Sequence, residues 1–384
     1  MRRRPFIVLA DDLTGAAEIA AIAHQAGLRA LVLTTPPDGP LKADVIVCDT
    51  DTRLLAPATA ARRVQSLARQ LNRRPNAGFF KKVDSVLRGN VLAEIHAMVD
   101  ALKLRRTLLV PCNPSLGRII DEGRYLIAST PLHRTGFARD PHHPRRTSDV
   151  LKLLGDGRRP PDAVCCHPAN RAPDEGVIVG EARSPAHVDL WASQVDDKTL
   201  PAGGADFFRM WLVHQRAGRA AVPSREISAR SVLLLSGTAT PPDPITPLSG
   251  PIVSVRARSV PSVAKLAGLV QSNLRTAGAT SVVMSGPLVR SGGTPATITR
   301  TFASLARRLL AAGACEHLIV AGGATAACVL ATLGWTRLEV LHVWGPGVVT
   351  LKPVGQANCV VTLKPGSYRW PPGLVNHFEQ PVAA

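Results

Sequence analysis

The chain has 384 residues, of which 45% are hydrophobic, and it carries a formal net charge of +18 and seven cysteines. One hydrophobic core rarely organises a chain of this length, so we expect two domains. No apolar run approaches a membrane span and no signal peptide is evident, which favours a cytoplasmic protein. The odd cysteine count without a CxxC pair fits reduced thiols better than a disulfide framework or a zinc site.

The positive charge would attract anions, and nucleic acid is the commonest large anion. Aromatic residues make up only 4% of the chain, and the arginines are spread along its whole length instead of forming one stripe. Stacking platforms for single strands are therefore scarce. We expect no nucleic-acid or membrane partner, and the sequence is compatible with a homo-oligomer.

The first half alternates short apolar runs with helical periodicity, the pattern of βα units that build a mostly parallel sheet. Strands are predicted over residues 6–10, 30–33, 45–48, 78–83 and 107–110, and helices over 16–26, 58–71 and 91–102. Residues 111 to about 183 are rich in Pro, Gly, His and Arg. They predict long loops with a few short elements, and such loops often carry function.

A helical pattern over residues 207–216 precedes a predicted domain boundary, which divides the chain into residues 1–225 and 226–384. Strands are then predicted over residues 232–235, 252–255, 282–284, 318–320, 338–343 and 359–363, and helices over 263–277, 297–312 and 325–333. The expected fold class is α/β, with two domains that each hold a mostly parallel sheet flanked by helices and an active site in the cleft between them.

Asp11 and Asp12 directly follow the first predicted strand, and a helix begins after them. In open α/β sheets ligands bind beyond the carboxyl ends of the strands, so two carboxylates there are placed for a substrate hydroxyl or a metal. Alternatively, Asp12 or Thr14 only caps the helix, which is the usual role of either residue type alone. The consecutive acids favour a functional role.

A second polar cluster, Lys-Lys-Val-Asp-Ser-Val-Leu-Arg-Gly-Asn, occupies residues 81–90 at the end of another predicted strand. Arginine or lysine there would pair with a carboxylate, and aspartate and asparagine would bind hydroxyls, so the cluster suits a small polyhydroxy acid. The alternative is a solvated turn before a capped helix. Because two such clusters follow two strands of one sheet, we favour binding.

Glycine-rich loops follow three predicted strands of the second half, at residues 236–240, 321–326 and 364–367. Glycines at a helix start allow backbone N–H groups to approach a phosphate closely. The chain has no GxGxxG after its first strand and no GxxxxGK[ST], HExxH or GxSxG motif. Their absence disfavours dinucleotide dehydrogenases, P-loop enzymes, zinc proteases and α/β-hydrolases.

Taken in order, these motifs resemble those of the four-carbon acid sugar kinases, a family that includes threonate, erythronate and 3-oxo-tetronate kinases. The resemblance covers nearly the whole chain. It rests on residues 11–16, 49–53, 82–90, 117–118, 135–141, 322–325, 346–348 and 363–366. Two departures stand out: Ala324 replaces an acidic residue, and residues 364–369 read Lys-Pro-Gly-Ser-Tyr-Arg where the family has a sequence like KSGNFG.

The resemblance implies a sugar-acid-binding N-terminal domain and a C-terminal domain that binds ATP, with Mg²⁺ assisting. The implied substrate residues are Asp11, Arg53, Lys82, Ser85, Arg88 and Asn90, with Asp12 or Asp84 as catalytic residue. The implied nucleotide residues are Thr238, Thr240, Gly322, Gly323, Ala324, Thr325 and Gly366. No metal ligand is assigned.

We therefore expect an ATP-dependent kinase that phosphorylates a hydroxyl of a four-carbon acid sugar, with the substrate's carboxylate held by Arg88 and Lys82. Two alternatives stay open. Ala324 motivates a non-catalytic or weakly active relic or sensor that still binds a sugar acid. The net charge of +18 motivates a basic nucleic-acid-binding protein, which we consider the weaker alternative.

Overall fold

The computed structural model describes residues 5–37, 39–74, 77–140, 142–155, 160–217, 227–237, 247–256, 259–285, 295–356, 358–366 and 368–379. The chain forms two compact units. The first comprises Met1–Ala30 and Thr35–Val222, and the second comprises Leu31–Thr34 and Pro223–Ala384. The predicted boundary between residues 225 and 226 falls within a segment outside the described residues and stays a prediction.

The first half of the chain contains eleven described strands and six described α-helices. They are β1 (Phe6–Ala10), α1 (Leu13–Gln25), β2 (Ala30–Leu33), β3 (Val45–Asp49), α2 (Pro57–Leu71), β4 (Gly78–Lys82), α3 (Val91–Leu102), β5 (Arg106–Val110), β6 (Arg118–Asp121), β7 (Arg124–Ile127), β8 (Thr130–Pro131), α4 (Val150–Leu154), β9 (Val164–Cys166), β10 (Gly176–Gly180), α5 (Pro185–Ser193), β11 (Thr199–Gly203) and α6 (Ala205–His214). The sequence predicted each of these elements up to β5, because the strands are short apolar runs and the helices carry apolar residues at helical spacing.

The main sheet of the first unit runs in the order β3-β1-β4-β11-β5-β10-β9, and its strand pairs are parallel. The middle of β1 is fully buried, as expected for a parallel sheet covered on both faces. Ala10 lies beside Asp49 of β3 and beside Lys82 of β4. The residues that follow these three strands therefore begin side by side at the carboxyl edge of the sheet.

The prediction of long loops after residue 111 was incomplete. Strands β6, β7 and β8 form a separate antiparallel sheet, while β9 and β10 join the main sheet. Strand β11 was not predicted, because a proline inside a run argues against a central strand. The structure accommodates Pro201 because β4 pairs with β11 only at Ala202 and Gly203, beyond the proline.

The second half contains β12 (Val232–Ser236), β13 (Ile252–Arg256), α7 (Val263–Ala277), β14 (Ala279–Ser285), α8 (Pro295–Ala311), β15 (His317–Ala321), α9 (Gly323–Leu333), β16 (Arg337–Gly345), β17 (Val348–Pro353), β18 (Val360–Lys364) and α10 (Pro372–Glu379). Strands β13-β14-β12-β15-β18 are parallel neighbours, whereas β17, β16 and β2 continue the order with antiparallel pairs. The sequence did not predict β17 or α10.

The predicted fold class is confirmed in its α/β character and in the mostly parallel sheets flanked by helices. The antiparallel strands at one side of the second unit's sheet are the main addition. Within the described part of the chain, no helix combines the length and the hydrophobicity needed to cross a bilayer.

Candidate functional site

Asp12 stands at the start of α1 and accepts hydrogen bonds from three partners. Its Oδ1 accepts a hydrogen bond from the backbone N–H of Gly15 at 2.9 Å, which is the geometry of a helix cap. Its Oδ2 accepts from the Thr14 hydroxyl at 2.7 Å and from Arg53 Nη1, also at 2.7 Å. The capping interpretation is therefore correct, and the same carboxylate also belongs to a charged network.

Arg53 connects the acidic segments of the site. Its Nε donates to Asp11 Oδ2 at 2.6 Å, and its Nη2 lies 3.6 Å from Asp84 Oδ1. The loop that carries Arg53 is held by the side-chain amide of Asn90, which donates to the backbone carbonyls of Thr52 and Leu55. Asn90 therefore supports the position of Arg53 and has its two amide hydrogens engaged.

Arg88 makes a two-pronged ion pair with Asp84. Its Nε donates to Asp84 Oδ2 at 3.0 Å and its Nη2 to Asp84 Oδ1 at 2.7 Å. The third nitrogen, Nη1, donates to Asp140 Oδ2 at 2.9 Å. Such paired, charge-assisted bonds fix the plane of a guanidinium group. The loop after β4 is thus locked to the segment that contains Asp140.

The two lysines of β4 point to opposite faces of the sheet, as alternation along a strand requires. Lys81 Nζ forms a buried ion pair with Glu94 Oε2 of α3 at 2.8 Å. Lys82 Nζ lies 3.4 Å from Glu18 Oε2 of α1 and donates to the carbonyl of Val83. Lys82 therefore belongs to the site edge, whereas Lys81 secures the packing of α3.

The arginines control the carboxylates electrostatically. Burial alone would raise the pKa of Asp84, but Arg88 and Arg53 hold that pKa well below its ordinary value. Burial would likewise raise the pKa of Asp12, and Arg53 together with the Thr14 hydroxyl lowers it. Both carboxylates are therefore ionised at neutral pH, and neither is a strong proton acceptor in the unliganded chain.

A group of residues from the β6–β8 region completes this site. Arg118 Nη1 donates to the hydroxyl of Ser85, and the Tyr125 hydroxyl donates to the backbone carbonyl of Ser85. The guanidinium carbons of Arg88 and Arg118 lie 5.5 Å and 5.8 Å from the centre of the Phe137 ring. The motifs at 117–118 and 135–141 carried part of the family resemblance, yet sequence reasoning gave Arg118, Phe137 and Asp140 no role.

The structure thus brings the eight predicted substrate-site residues together within the first unit. They are Asp11, Asp12, Arg53, Lys82, Asp84, Ser85, Arg88 and Asn90. Their predicted roles toward a substrate stay predictions.

The second unit brings its predicted loops together at the carboxyl edge of its sheet. The N–H of Gly237, after β12, donates to the carbonyl of Ala321 at 3.2 Å, and the N–H of Gly322 donates to the carbonyl of Lys364 at 2.9 Å. Gly366 lies two residues beyond Lys364. Thr238 and Thr240 lie outside the described residues, so their predicted role is not addressed by the structure.

The start of α9 offers unshielded backbone donors. Gly322 has a φ of 108°, a conformation that favours glycine, and no side chain caps the helix. Gly323, the exposed Ala324 and the buried Thr325 form the first turn, which has no acidic residue. A helix start of this kind suits an anion such as a phosphate.

Among the residues that the structure describes, no group of three or more His, Cys, Asp or Glu side chains is arranged to hold a metal ion. A magnesium ion in a kinase is usually held by substrate phosphates and one or two carboxylates. The described residues are therefore compatible with a metal that arrives with the nucleotide and not with a dedicated protein cage.

Comparison with known families gives two matches along the chain. Residues 6–165 match the model of a sugar-binding N-terminal domain, and residues 264–368 match that of a nucleotide-binding C-terminal domain. A solved structure from Salmonella typhimurium has a TM-score of 0.78 at 20% identity and aligns over the whole of both chains. That likeness shows the shared fold.

Two relatives align with different shares of the chain. A D-erythronate kinase from Heliobacterium modesticaldum is 38% identical over 153 residues, which is 38% of this chain and 35% of the relative. The chain therefore aligns with about a third of that relative's length. A D-threonate kinase from Bordetella bronchiseptica is 27% identical over 397 residues, covering 95% of this chain and 94% of the relative.

The fold and the two domain matches define the class as a two-domain α/β protein that combines a sugar-binding with a nucleotide-binding domain. Relatives named D-erythronate, D-threonate and 3-oxo-tetronate kinase refine this class. The chain therefore contains both domains of this class, and along most of its length it is similar to kinases of four-carbon acid sugars.

Proposed function

We propose that this protein uses ATP to phosphorylate a hydroxyl of a four-carbon acid sugar of the threonate, erythronate or 3-oxo-tetronate type. The observation that carries the proposal is the network of Asp12, Arg53, Asp84 and Arg88 at the carboxyl edge of the first unit's sheet. Similarity to relatives named D-erythronate kinase and D-threonate kinase supports it.

Asp12 is the carboxylate best placed to meet the acceptor hydroxyl. Its side chain is 22% exposed, whereas those of Asp11 and Asp84 are 4% and 7% exposed. The lowered pKa of Asp12 makes it a hydrogen-bond acceptor that orients the hydroxyl more than a base that removes its proton early. That role suits phosphoryl transfer, which depends chiefly on positioning and on neutralising charge.

Asp84 acts in this proposal as a positioning residue. Both of its oxygens accept hydrogen bonds from Arg88, and Arg53 lies near one of them. A carboxylate engaged in this way is a poor proton acceptor. Its contribution is to hold two guanidinium groups in fixed orientations beside the substrate.

The nucleotide would bind at the loops of the second unit. The start of α9, which no side chain caps, supplies backbone N–H groups that suit phosphate oxygens, and hydrogen bonds tie the segments at Gly237 and Lys364 to the end of β15 and to Gly322. Mg²⁺ bound with ATP would neutralise charge on the phosphates. Gly322, Gly323, Ala324, Thr325 and Gly366 are the described residues proposed to line this site.

The proposal is tested by measuring ADP release with threonate, erythronate and their oxo derivatives, each with and without Mg²⁺. We expect acid-dependent ADP release that requires Mg²⁺. No release with any of these acids, despite nucleotide-dependent thermal stabilisation, would instead favour the sensor alternative that Ala324 motivates.

The Asp84→Ala variant tests the assignment of the site to the first unit. We expect turnover of the acid to fall by about 100-fold or more, because the removal of one partner of a buried ion pair leaves uncompensated charge. Binding of ATP, measured by titration, should change little. Asp189→Ala, which removes an exposed carboxylate paired with His214, serves as the control. Unchanged turnover in Asp84→Ala would contradict the assignment.

A further inference from the structure

The cations predicted to hold the substrate's carboxylate already face carboxylates of the chain. Arg88 is paired with Asp84 and Asp140, and Lys82 Nζ lies 3.4 Å from Glu18. Arg53 similarly contacts Asp11 and Asp12. A substrate carboxylate at any of these cations would compete with an acidic group that is already in place, so the attraction left for it is reduced.

Arg118 differs from these cations. Among the described residues, its side chain has no carboxylate within ion-pair distance, and its hydrogen-bond partner is the hydroxyl of Ser85. It is partly exposed at the start of β6. It therefore presents a positive charge that no acidic group of the described chain neutralises, directly beside a predicted substrate residue.

The surroundings of Arg118 fix its position. Its backbone is hydrogen-bonded to Asn113 and paired with Ile127 of β7. The buried Tyr125, also on β7, bonds through its hydroxyl to the backbone of Ser85. The face of Phe137 supports the guanidinium group. A cation on a rigid strand that is anchored at several points loses little freedom when it binds an anion.

Arg145 also has no carboxylate partner among the described residues, yet it is a weaker candidate. Its Nε donates to the carbonyl of His143 and its Nη1 to the carbonyl of Leu87, both at 3.0 Å. Two of its nitrogens are thus committed to the backbone. Arg118 is left with more donors for a ligand, because one of its three nitrogens has a partner in the described chain.

We propose that Arg118 is the residue that binds the carboxylate of the acid sugar and so determines the preference of this enzyme for acids over neutral sugars. The proposal rests on the proposed function, since it names the contact for that substrate. In this arrangement Arg53 and Arg88 hold the acidic side chains in place. Asp12 accepts a hydrogen bond from the substrate's hydroxyl, and Arg118 binds the substrate's carboxylate.

The test compares the wild-type protein with Arg118→Gln, Arg118→Lys and the control Arg124→Gln. Arg124 is an exposed arginine of the same small sheet. For each protein, binding of threonate and erythronate is measured by calorimetry without nucleotide. The steady-state kinetics of each acid are then compared with those of the matching tetritol, which has an alcohol in place of the carboxylate.

We expect Arg118→Gln to weaken acid binding and raise KM for the acid by about 10- to 100-fold, the range for a hydrogen bond to a charged group. The preference for the acid over the tetritol should fall by a similar factor, with partial recovery in Arg118→Lys and no change in Arg124→Gln. An equal loss for acid and tetritol, or unchanged acid binding, would overturn the assignment of Arg118.

The same data separate the two proposals. If the wild-type protein binds the acids without releasing ADP, the proposed kinase function fails, and the calorimetry of Arg118→Gln still decides the role of Arg118. If the wild-type protein binds none of the acids, both proposals are wrong.

Discussion

Asp49 illustrates how position governs the chemistry of one residue type. It ends β3 beside Ala10, so it lies next to the acidic start of the α1 segment. Burial raises the pKa of Asp49 to about 8; the backbone N–H of Asp51 opposes this shift, and the charge of Asp12 adds to it. Asp12 and Asp84 have lowered pKa values because arginines contact them, whereas no arginine contacts Asp49 within the described residues.

This shift predicts a pH dependence of stability. A folded-state pKa of about 8, above the ordinary value of 3.8, means that the folded chain binds more protons than the unfolded chain between these values. The contribution of Asp49 to the free energy of unfolding therefore falls as the pH rises from about 4 to about 8, and then levels off. Asp49→Asn cannot ionise, so its stability should decline less over this range.

Urea unfolding of the wild-type protein and of Asp49→Asn at about pH 5 and about pH 8 measures this difference. Asp174→Asn, at an exposed carboxylate, is the matched control. Parallel pH profiles for the wild type and Asp49→Asn would show that Asp49 is ionised throughout.

The types of residue at the site could be predicted from the sequence, but their pairing could not. The acidic and basic clusters after β1 and β4 were visible because each follows an apolar run. That Arg88 is paired with Asp140, 52 residues away, depends on the path of the segment after β5. Among the described residues Arg118 has no carboxylate partner, whereas Arg88 has two. This difference between the two arginines can be seen only when the partners of each cation are known.

At the scale of elements, the contact between β12 and α9 defines the proposed phosphate site. A Cβ atom placed on Gly237 would lie 2.1 Å from Oγ1 of Thr325. The backbone at Gly237 and the side chain of Thr325 are thus too close for any residue other than glycine at position 237. The loop after β12 and the first turn of α9 therefore depend on each other for their positions.

Gly237→Ala is accordingly expected to displace one of the two loops and to weaken nucleotide binding by about 10-fold or more, because overpacking typically costs about 1–3 kcal/mol. Shortening the Thr325 side chain in Gly237→Ala/Thr325→Ala should restore part of the affinity.

Gly268→Ala is the control, since this position on α7 is exposed and a Cβ atom there would meet no atom within 4 Å. Titration with a fluorescent ATP analogue provides the measurement. Equal affinity in all four proteins would show that nucleotide binding does not depend on this contact.

Elements with regular periodicity were predicted accurately, and those stabilised by their neighbours were not. The limits of β1, α3 and α7 agree with the sequence prediction at both ends. Strand β11 contains a proline and two small residues, and it is a strand because β4 and β5 flank it. Strands β6, β7 and β8 are only two to four residues long, too short to give a periodic signal.

At the scale of the whole molecule, the net charge of +18 is the property that the kinase proposal explains least directly. A positive field raises the local concentration of any anion, so it would assist the binding of both an acid sugar and ATP. It would also produce non-specific attraction to nucleic acid, which is the motive for the alternative function. Binding of a small substrate and binding of nucleic acid differ in how strongly their affinities depend on salt.

Nucleic-acid binding that involves 6–10 phosphate contacts loses about 10³-fold or more in affinity between about 50 and about 200 mM salt. A small substrate in a pocket of fixed partners engages few such charges, so we expect kcat/KM for the acid to change by less than about 10-fold over this range. Retention of duplex DNA on filters and ADP release should be measured at both salt concentrations, with Asp84→Ala included. DNA binding with this steep salt dependence, in a protein that releases no ADP with any acid, would establish the nucleic-acid alternative. DNA binding that is unaffected by Asp84→Ala, in a protein that releases ADP at both salt concentrations, would identify it as a general consequence of the positive charge.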